Sequence, residues 1–485
     1  MSDDDRVRRV RDAFLAADYT AAGLDALLGP VASRALSRGE TVPARRATRG
    51  GSPLETLVRL FLLQLTVPNS AAEAALPPDA RELGLVMAHP DGTRAVVDVR
   101  AYVEDNDDAP PWWVVSDPGT GLDGVERRLP DDHVLGVGGA STMLAQLTPR
   151  EPVGTTIDIG TGCGVQALHA SRHSDRVVAT DVSPRALHLA RLTAGLSSVD
   201  VDLREGNLLE PVAGEQADLI VSNPPFVVSP AGTHTYRDGG LPLDGICARL
   251  TSEAPHLLAP LGDLVLLANW VHISGDDWRE RVGGWLPGHG VDALLVQREV
   301  LDPAEYVAMW LRDAGEAGDL SSYDAWLQAL EEARVEGVGM GFVRIRRTDV
   351  ATRSVLIDWP HPVEQPLAPH LSSWLDRRAW LAASDDDRLL NARLRVAPDV
   401  VQEQIGQPGA DDPEHVVLRR SGGMRPAVRV DTATAALVGA SEGTLTVGAL
   451  VSAVASVLDD EPNALQERLL REVRDLVDQG VLEPF

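Results

Sequence analysis

A chain of 485 residues is too long for one ordinary core, and a count of about three domains is expected. Its 44% hydrophobic and 24% charged residues exclude wholesale disorder, and its two cysteines, Cys163 and Cys247, speak against a disulfide framework or a cysteine-based zinc site. The formal charge of -28, with no lysine among the 44 basic residues, repels phosphate backbones unless the arginines cluster; part of the acidity fits a coding bias toward Ala, Gly, Asp and Arg.

Met1-Ser2-Asp3-Asp4-Asp5 is acidic and lacks a signal-peptide apolar core. The longest strongly apolar stretch, Leu60 to Val67, is far short of a membrane span, so a soluble cytoplasmic protein without membrane contact is expected. Residues 1–150 read as an N-terminal domain of helices and a β-hairpin. Thr20 can cap a short helix that ends at Gly29-Pro30. Ser52-Pro53-Leu54-Glu55 combines a capping box with proline at the first helical position, and Ser70 with Glu73 offers a second box. Residues 1–60 carry ten arginines against eight acids, and the loop Arg45-Arg46-Ala47-Thr48-Arg49-Gly50-Gly51 is a candidate RNA or partner contact beside the plainer reading of solvated arginines. Leu85 to Ala88 and Ala95 to Val99 flank the turn Pro90-Asp91-Gly92 and predict a hairpin, with Trp113 to Val115 as a third strand. Gly136 to Ser141 forms a flexible lead-in to a helix.

Residues 151–350 alternate strand and helix, the pattern of a doubly wound α/β sheet. Strands are expected at 155–159, 176–180, 199–203, 217–222, 263–269, 292–298 and 338–346, with a helical insertion over 303–336. Pro360 to Pro366 reads as a linker, and 367–485 as a further domain. Its end has two helices at helical spacing, one through Leu450, Val454 and Leu458, the other carrying Leu465, Leu469, Val473 and Leu476.

Two stretches carry the chemistry. In the first, Thr155 to Ile159 is a buried strand that runs into glycines at 160, 162 and 164, with Asp158 two residues before them. Such a turn brings a ligand close to backbone at a helix N-terminus. The spacing is not that of a dinucleotide fingerprint. In the second, Asp218 to Ser222 is an apolar strand that ends in Asn223-Pro224-Pro225-Phe226. Asp181, 23 residues after Asp158, ends another strand and can accept two vicinal hydroxyls.

This order and spacing resemble the class I S-adenosylmethionine-dependent methyltransferases, in the branch that methylates planar nitrogens, among them small-domain RNA methyltransferases and the glutamine-N5 methyltransferases of release factors and ribosomal proteins. The resemblance implies a Rossmann-like seven-stranded methyltransferase sheet, with S-adenosyl-L-methionine as cofactor and no metal. It implies that Asp158, Gly160, Thr161, Gly162 and Gly164 hold the amino-acid moiety, Asp181 and Val182 the ribose side, and Asn207 and Leu208 the adenine side. Asn223, which also borders the cofactor, then pairs with the carbonyl of Pro224 to receive the substrate N–H bonds; Pro225 stiffens the corner and Phe226 walls the planar substrate. The segment 136–141 is expected to cover the cofactor, and His234, Tyr236 and Arg237 are candidates for the substrate side beside the plainer reading of surface residues. Domain 1–150 is assigned substrate recognition, and the tail is similar to winged-helix modules and to small peptide-binding modules. A nitrogen in ribosomal or transfer RNA is the leading target. A glutamine of a ribosomal protein or release factor is the alternative, as is tailoring of a peptide or small molecule.

Overall fold

A computed structural model describes residues 2–103, 110–119, 129–130, 132–228, 241–316, 318–408, 413–458 and 462–485. The chain forms two compact units, one of residues 1–145 with 150–359, the other of 146–149 with 360–485. Among the described residues no helix is long and apolar enough to cross a membrane.

The first unit opens on helices Asp3–Ala16, Ala21–Ser37, Val42–Ala47 and Pro53–Leu57. Thr20 caps the second through the amide of Gly23 at 3.0 Å, and its first segment ends as expected at Gly29, whose non-helical φ of 67° separates it from a further helical segment that starts at Pro30. The Ser52–Glu55 capping box forms. The Ser70–Glu73 box does not, because helix Asn69–Ala75 already starts behind Pro68. Strands β1 (Val86–His89) and β2 (Gly92–Ala95) make the hairpin. Its second strand is therefore earlier than expected, and β3 (Asp98–Tyr102) pairs instead with β4 (Trp112–Ser116). Val10, Phe14, Leu57, Phe61, Trp112 and Trp113 share one buried cluster with Leu168, Leu189, Leu192 and Leu196 of the next helices. Cross-ties reinforce it: Trp113 N donates to Ser197 Oγ at 3.0 Å and Val115 N to Thr193 Oγ1 at 2.9 Å.

The central sheet comprises β5 (Val153–Ile159), β6 (Ser174–Asp181), β7 (Asp202–Glu205), β8 (Ala217–Ser222), β9 (Leu258–Ile273), β10 (His289–Leu301), β11 (Val335–Ala351) and β12 (Arg353–Asp358). Across the sheet they run β12-β10-β11-β9-β8-β5-β6-β7. All neighbours are parallel except β11, which is antiparallel to both β9 and β10. The core strands are apolar on both faces, as a parallel sheet covered by helices requires. The sheet has eight strands, not the expected seven. The chain leaves β11, crosses the start of β10 through the single residue Thr352, and adds β12 at the edge. No Gly, Pro, Asn or Asp marks that crossing, which is why the pattern concealed it. The third expected strand also sits about three residues later than predicted, at Asp202–Glu205.

Helices Pro303–Asp313 and Leu320–Glu332 form the insertion between β10 and β11. The second unit has its own core, built on Leu394, Leu437, Leu450, Leu469, Val473 and Leu482. It contains helices Ala368–Ala382, Thr432–Gly439, Val447–Leu458 and Pro462–Asp478. Two three-stranded sheets accompany them: one runs through Glu442–Thr446, Arg393–Val396 and Leu482–Pro484, the other through Val400–Ile405, His415–Arg420 and Ala427–Val430.

Candidate active site

The strand order reverses between β5 and β8, and an open α/β sheet presents its crevice at such a point, beyond the carboxyl ends of the strands. Ile159 pairs with Ser222 there, and Ser222 Oγ donates to the Ile159 carbonyl at 2.8 Å. Gly160 and Asn223, each the next residue, are thus brought side by side.

The glycine turn is left-handed at each glycine, with φ 72°, 56° and 83° at Gly160, Gly162 and Gly164. Only residues without a β-carbon take such values cheaply. A β-carbon on Gly160 or Gly162 would meet nothing within 4 Å, whereas one on Gly164 would stand 3.3 Å from Ala190 Cα. The first two leave open space above the turn; the third lets helices Val165–Ala170 and Pro184–Leu196 approach. The amides of Gly160 and Thr161 both donate to the Thr180 carbonyl at 2.9 Å, which fixes the turn to the end of β6.

Asp158 lies beneath this turn, only 1% exposed. Thr161 Oγ1 donates to its Oδ2 at 2.6 Å, and its Oδ1 is buried without a hydrogen-bond partner among the described residues. Burial pushes its carboxyl up to about 7, against the Thr161 hydrogen bond and with help from the charge of Asp181. Asp181 accepts the amides of Gly162 and Ser183, each at 2.9 Å. Burial raises its carboxyl as well, opposed by those amides. Val182 beside it is an exposed aliphatic, 48% accessible. Asn207 is exposed after β7, and Leu208 takes φ 49° as the chain turns away.

At the second motif, the Asn223 side-chain oxygen is buried and accepts no hydrogen bond among the described residues. A buried acceptor left unpaired costs on the order of 1–3 kcal/mol. Pro224 is buried, while Pro225 and Phe226 are half-buried. Phe226 meets Trp310 of the insertion edge-on, with ring centroids 6.3 Å apart.

The sequence reading missed what holds this corner. Tyr306 is fully buried, and its hydroxyl accepts from the Val228 amide at 2.9 Å and from Asn269 Nδ2 at 3.2 Å. Trp326 Nε1 donates to the Val228 carbonyl at 2.8 Å. The density of aromatics in 303–336 was the only available signal. The lead-in 136–141 touches the first motif where Gln166 Nε2 donates to the Ser141 carbonyl at 2.8 Å. Nearby, Asp117 joins the amide of Val134 at 2.9 Å to the guanidinium of Arg185. Asp244 accepts from the Val271 amide at 2.8 Å and pairs with Arg281, a scaffolding role. His234, Tyr236 and Arg237 lie outside the described residues. Among the described residues no group of three or more His, Cys, Asp or Glu could hold a metal ion.

Residues 136–274 match the family model described as "Methyltransferase small domain", while 16–96 and 372–484 match two families described as "Domain of unknown function (DUF7059)" and "Domain of unknown function (DUF7782)". A release factor glutamine methyltransferase of Deinococcus radiodurans is 41% identical over 122 residues, which cover 23% of this chain and 44% of that one. A ribosomal protein uL3 glutamine methyltransferase of Bradyrhizobium diazoefficiens is 32% identical over 28% of this chain and 47% of its own. A ribosomal RNA small subunit methyltransferase C of Escherichia coli is 37% identical over 18% of this chain and 26% of its own. The chain thus spans about half or less of the length of these curated relatives. Among solved structures, the 16S rRNA N2 G1207 methyltransferase of T. thermophilus, in complex with AdoMet and guanosine, is 17% identical; the match covers 50% of this chain and 65% of that one at a TM-score of 0.28.

Proposed function

Taking residues 136–274 as a methyltransferase small domain, we propose that this chain is an S-adenosylmethionine-dependent N-methyltransferase acting on a planar amino or amide nitrogen. The observation that carries the reading is the buried Asn223 oxygen, without a hydrogen-bond partner among the described residues and held next to the glycine turn by the Ile159–Ser222 pairing. An acceptor in that state is a poor choice for a structural turn and a good one for a substrate N–H.

The residues present fit the cofactor. Open space lies over Gly160 and Gly162, Asp158 Oδ1 has no hydrogen-bond partner among the described residues, Asp181 is anchored at the next strand end, and Val182 offers an exposed apolar edge. Asn207 and Leu208 stand on the adenine side. When bound, the cofactor supplies an electrophilic sulfonium methyl. The delocalised lone pair of the substrate nitrogen is freed as Asn223 Oδ1 and the Pro224 carbonyl accept its two N–H bonds. Those bonds strengthen as positive charge grows on nitrogen, so they favour the transition state over bound substrate. Pro225 limits the corner's freedom, and Phe226, braced by Trp310, provides a flat wall. The methylated nitrogen then loses its proton to water.

For the substrate we favour a nucleobase amine of ribosomal or transfer RNA, supported by the exposed Arg46 and Arg49 of the front segment, which have no ion-pair partner among the described residues. A second reading, a glutamine amide in a translation protein, is favoured by the -28 charge and by the release factor relative at 41% identity. We assign substrate recognition to residues 1–150, catalysis to 151–350, and a winged-helix-like module to 367–485, the last supported by its small sheets packed with helices.

The test is Asn223→Ala. Turnover is expected to fall by roughly 100-fold or more while calorimetric cofactor affinity stays within about twofold. Equal loss of both removes Asn223 from the amine site. Transfer of labelled methyl into extract from a deletion strain, followed by nuclease or protease digestion, separates RNA from protein targets.

A further inference from the structure

The amino-terminal edge of the sheet, away from the catalytic corner, holds a cavity of about 180 Å³ with His256, His289, Arg347 and Thr348 in its lining and Pro255 and Pro287 as walls. Here β10 begins and β11 ends, and His289 pairs with Ala351. The register slips between His289 and Val291, where Gly290 takes φ 91°. A β-bulge of this kind re-aims the flanking side chains and tends to mark a built feature.

The lining has donors and no carboxylate. Arg347 gives one hydrogen bond, to the Leu258 carbonyl, and has no acidic partner among the described residues. Its neighbours differ: Arg344 and Arg346 pair with Asp263 at 2.9 and 3.1 Å, and Arg353 pairs with Asp292. Thr348 Oγ1 is buried without a hydrogen-bond partner among the described residues. His256 and His289 are exposed at the rim, each with a ring N–H to give. In a chain of charge -28, an acid-free hollow with a guanidinium, two imidazoles and an orphaned hydroxyl is selective. Charge-assisted bonds from such donors suit a tetrahedral oxyanion. The volume falls short of the several hundred Å³ that hold a drug-sized ligand, so it suits the anionic group rather than a whole nucleoside.

We propose that this cavity is a phosphate-class oxyanion site, separate from the methyl-transfer corner. The phosphate can be a free ion or one group of an RNA backbone, and the test distinguishes them. The histidine ring resonances of the full chain are followed during titration with inorganic phosphate, with chloride at equal ionic strength as the control. His256 and His289 are expected to shift saturably. Arg347→Gln, Thr348→Val and His289→Gln should each weaken that binding, Arg347→Gln by about tenfold or more. A short single-stranded oligoribonucleotide that shifts the same two rings assigns the site to backbone phosphate; a response to inorganic phosphate alone assigns it to the free ion. The proposal fails if neither ring shifts saturably in the folded protein. It fails too if His289→Gln and Thr348→Val, with melting temperatures unchanged, bind phosphate as the parent does.

Discussion

If Asp158 borders the cofactor as proposed, its carboxyl should govern the pH dependence of cofactor binding. Burial is the larger cause of its raised carboxyl, and the charge of Asp181 adds to it, so the group titrates near 7 in the folded chain against an ordinary value of 3.8. The folded state holds this proton more tightly than the unfolded chain does. The associated stability is therefore complete below the ordinary value and is lost as pH rises toward about 7. A cationic ligand reverses the preference, because it favours the carboxylate. Cofactor affinity should accordingly rise by up to about tenfold per unit as pH increases from about 6, and level off above about 7. Asp158→Asn should flatten that profile and raise the apo protein's stability at pH 8 by on the order of 1 kcal/mol or more. A flat calorimetric profile in the parent protein would exclude Asp158 from the cofactor's charge balance.

Between elements, the insertion clamps the corner that follows β8. Tyr306→Phe deletes a hydroxyl that serves Val228 and Asn269 together, and leaves a buried amide short of its acceptor. It should cost about 1–3 kcal/mol in denaturant unfolding and lower turnover, while cofactor affinity holds. If turnover is untouched, the clamp is purely structural. Contacts of this kind join residues far apart in the chain and leave no local sequence pattern. The strand ends that carry Asp158, Asp181 and Asn223 were legible because buried parallel strands show as short apolar runs with polar ends. β7 lies later than its pattern predicts because Val199 and Val201 look more strand-like than Asp202-Leu203-Arg204-Glu205, which pairs on only one side. Tyr306 meets partners 37 and 78 residues away, and no local pattern encodes that. Nor does any local pattern show that Asp158 sits under the turn, where Thr161 holds it.

For the molecule as a whole, the front helices are part of the fold that carries the site. Removing residues 1–60 would uncover Leu189, Leu192 and Leu196, so it tests folding before it tests substrate capture. Arg46→Ala with Arg49→Ala is the cleaner probe, since both side chains are exposed. If the substrate is RNA, the pair should weaken binding and reduce the salt dependence of log affinity by about 1–2 in slope. An unchanged slope shifts the front segment's role to protein contact. Finally, the sheet's two margins matter for crowding. β7 is four residues long and sits in a mesh of Arg176, Asp202, Arg204 and Glu215, while β12 begins at Arg353 and ends at Asp358. Short, charged margins are poor templates for a foreign strand. Until β12 docks, the margin is instead the thirteen-residue, largely apolar β10, so the short strand delivered by the one-residue crossing is what shields that edge from pairing with another copy.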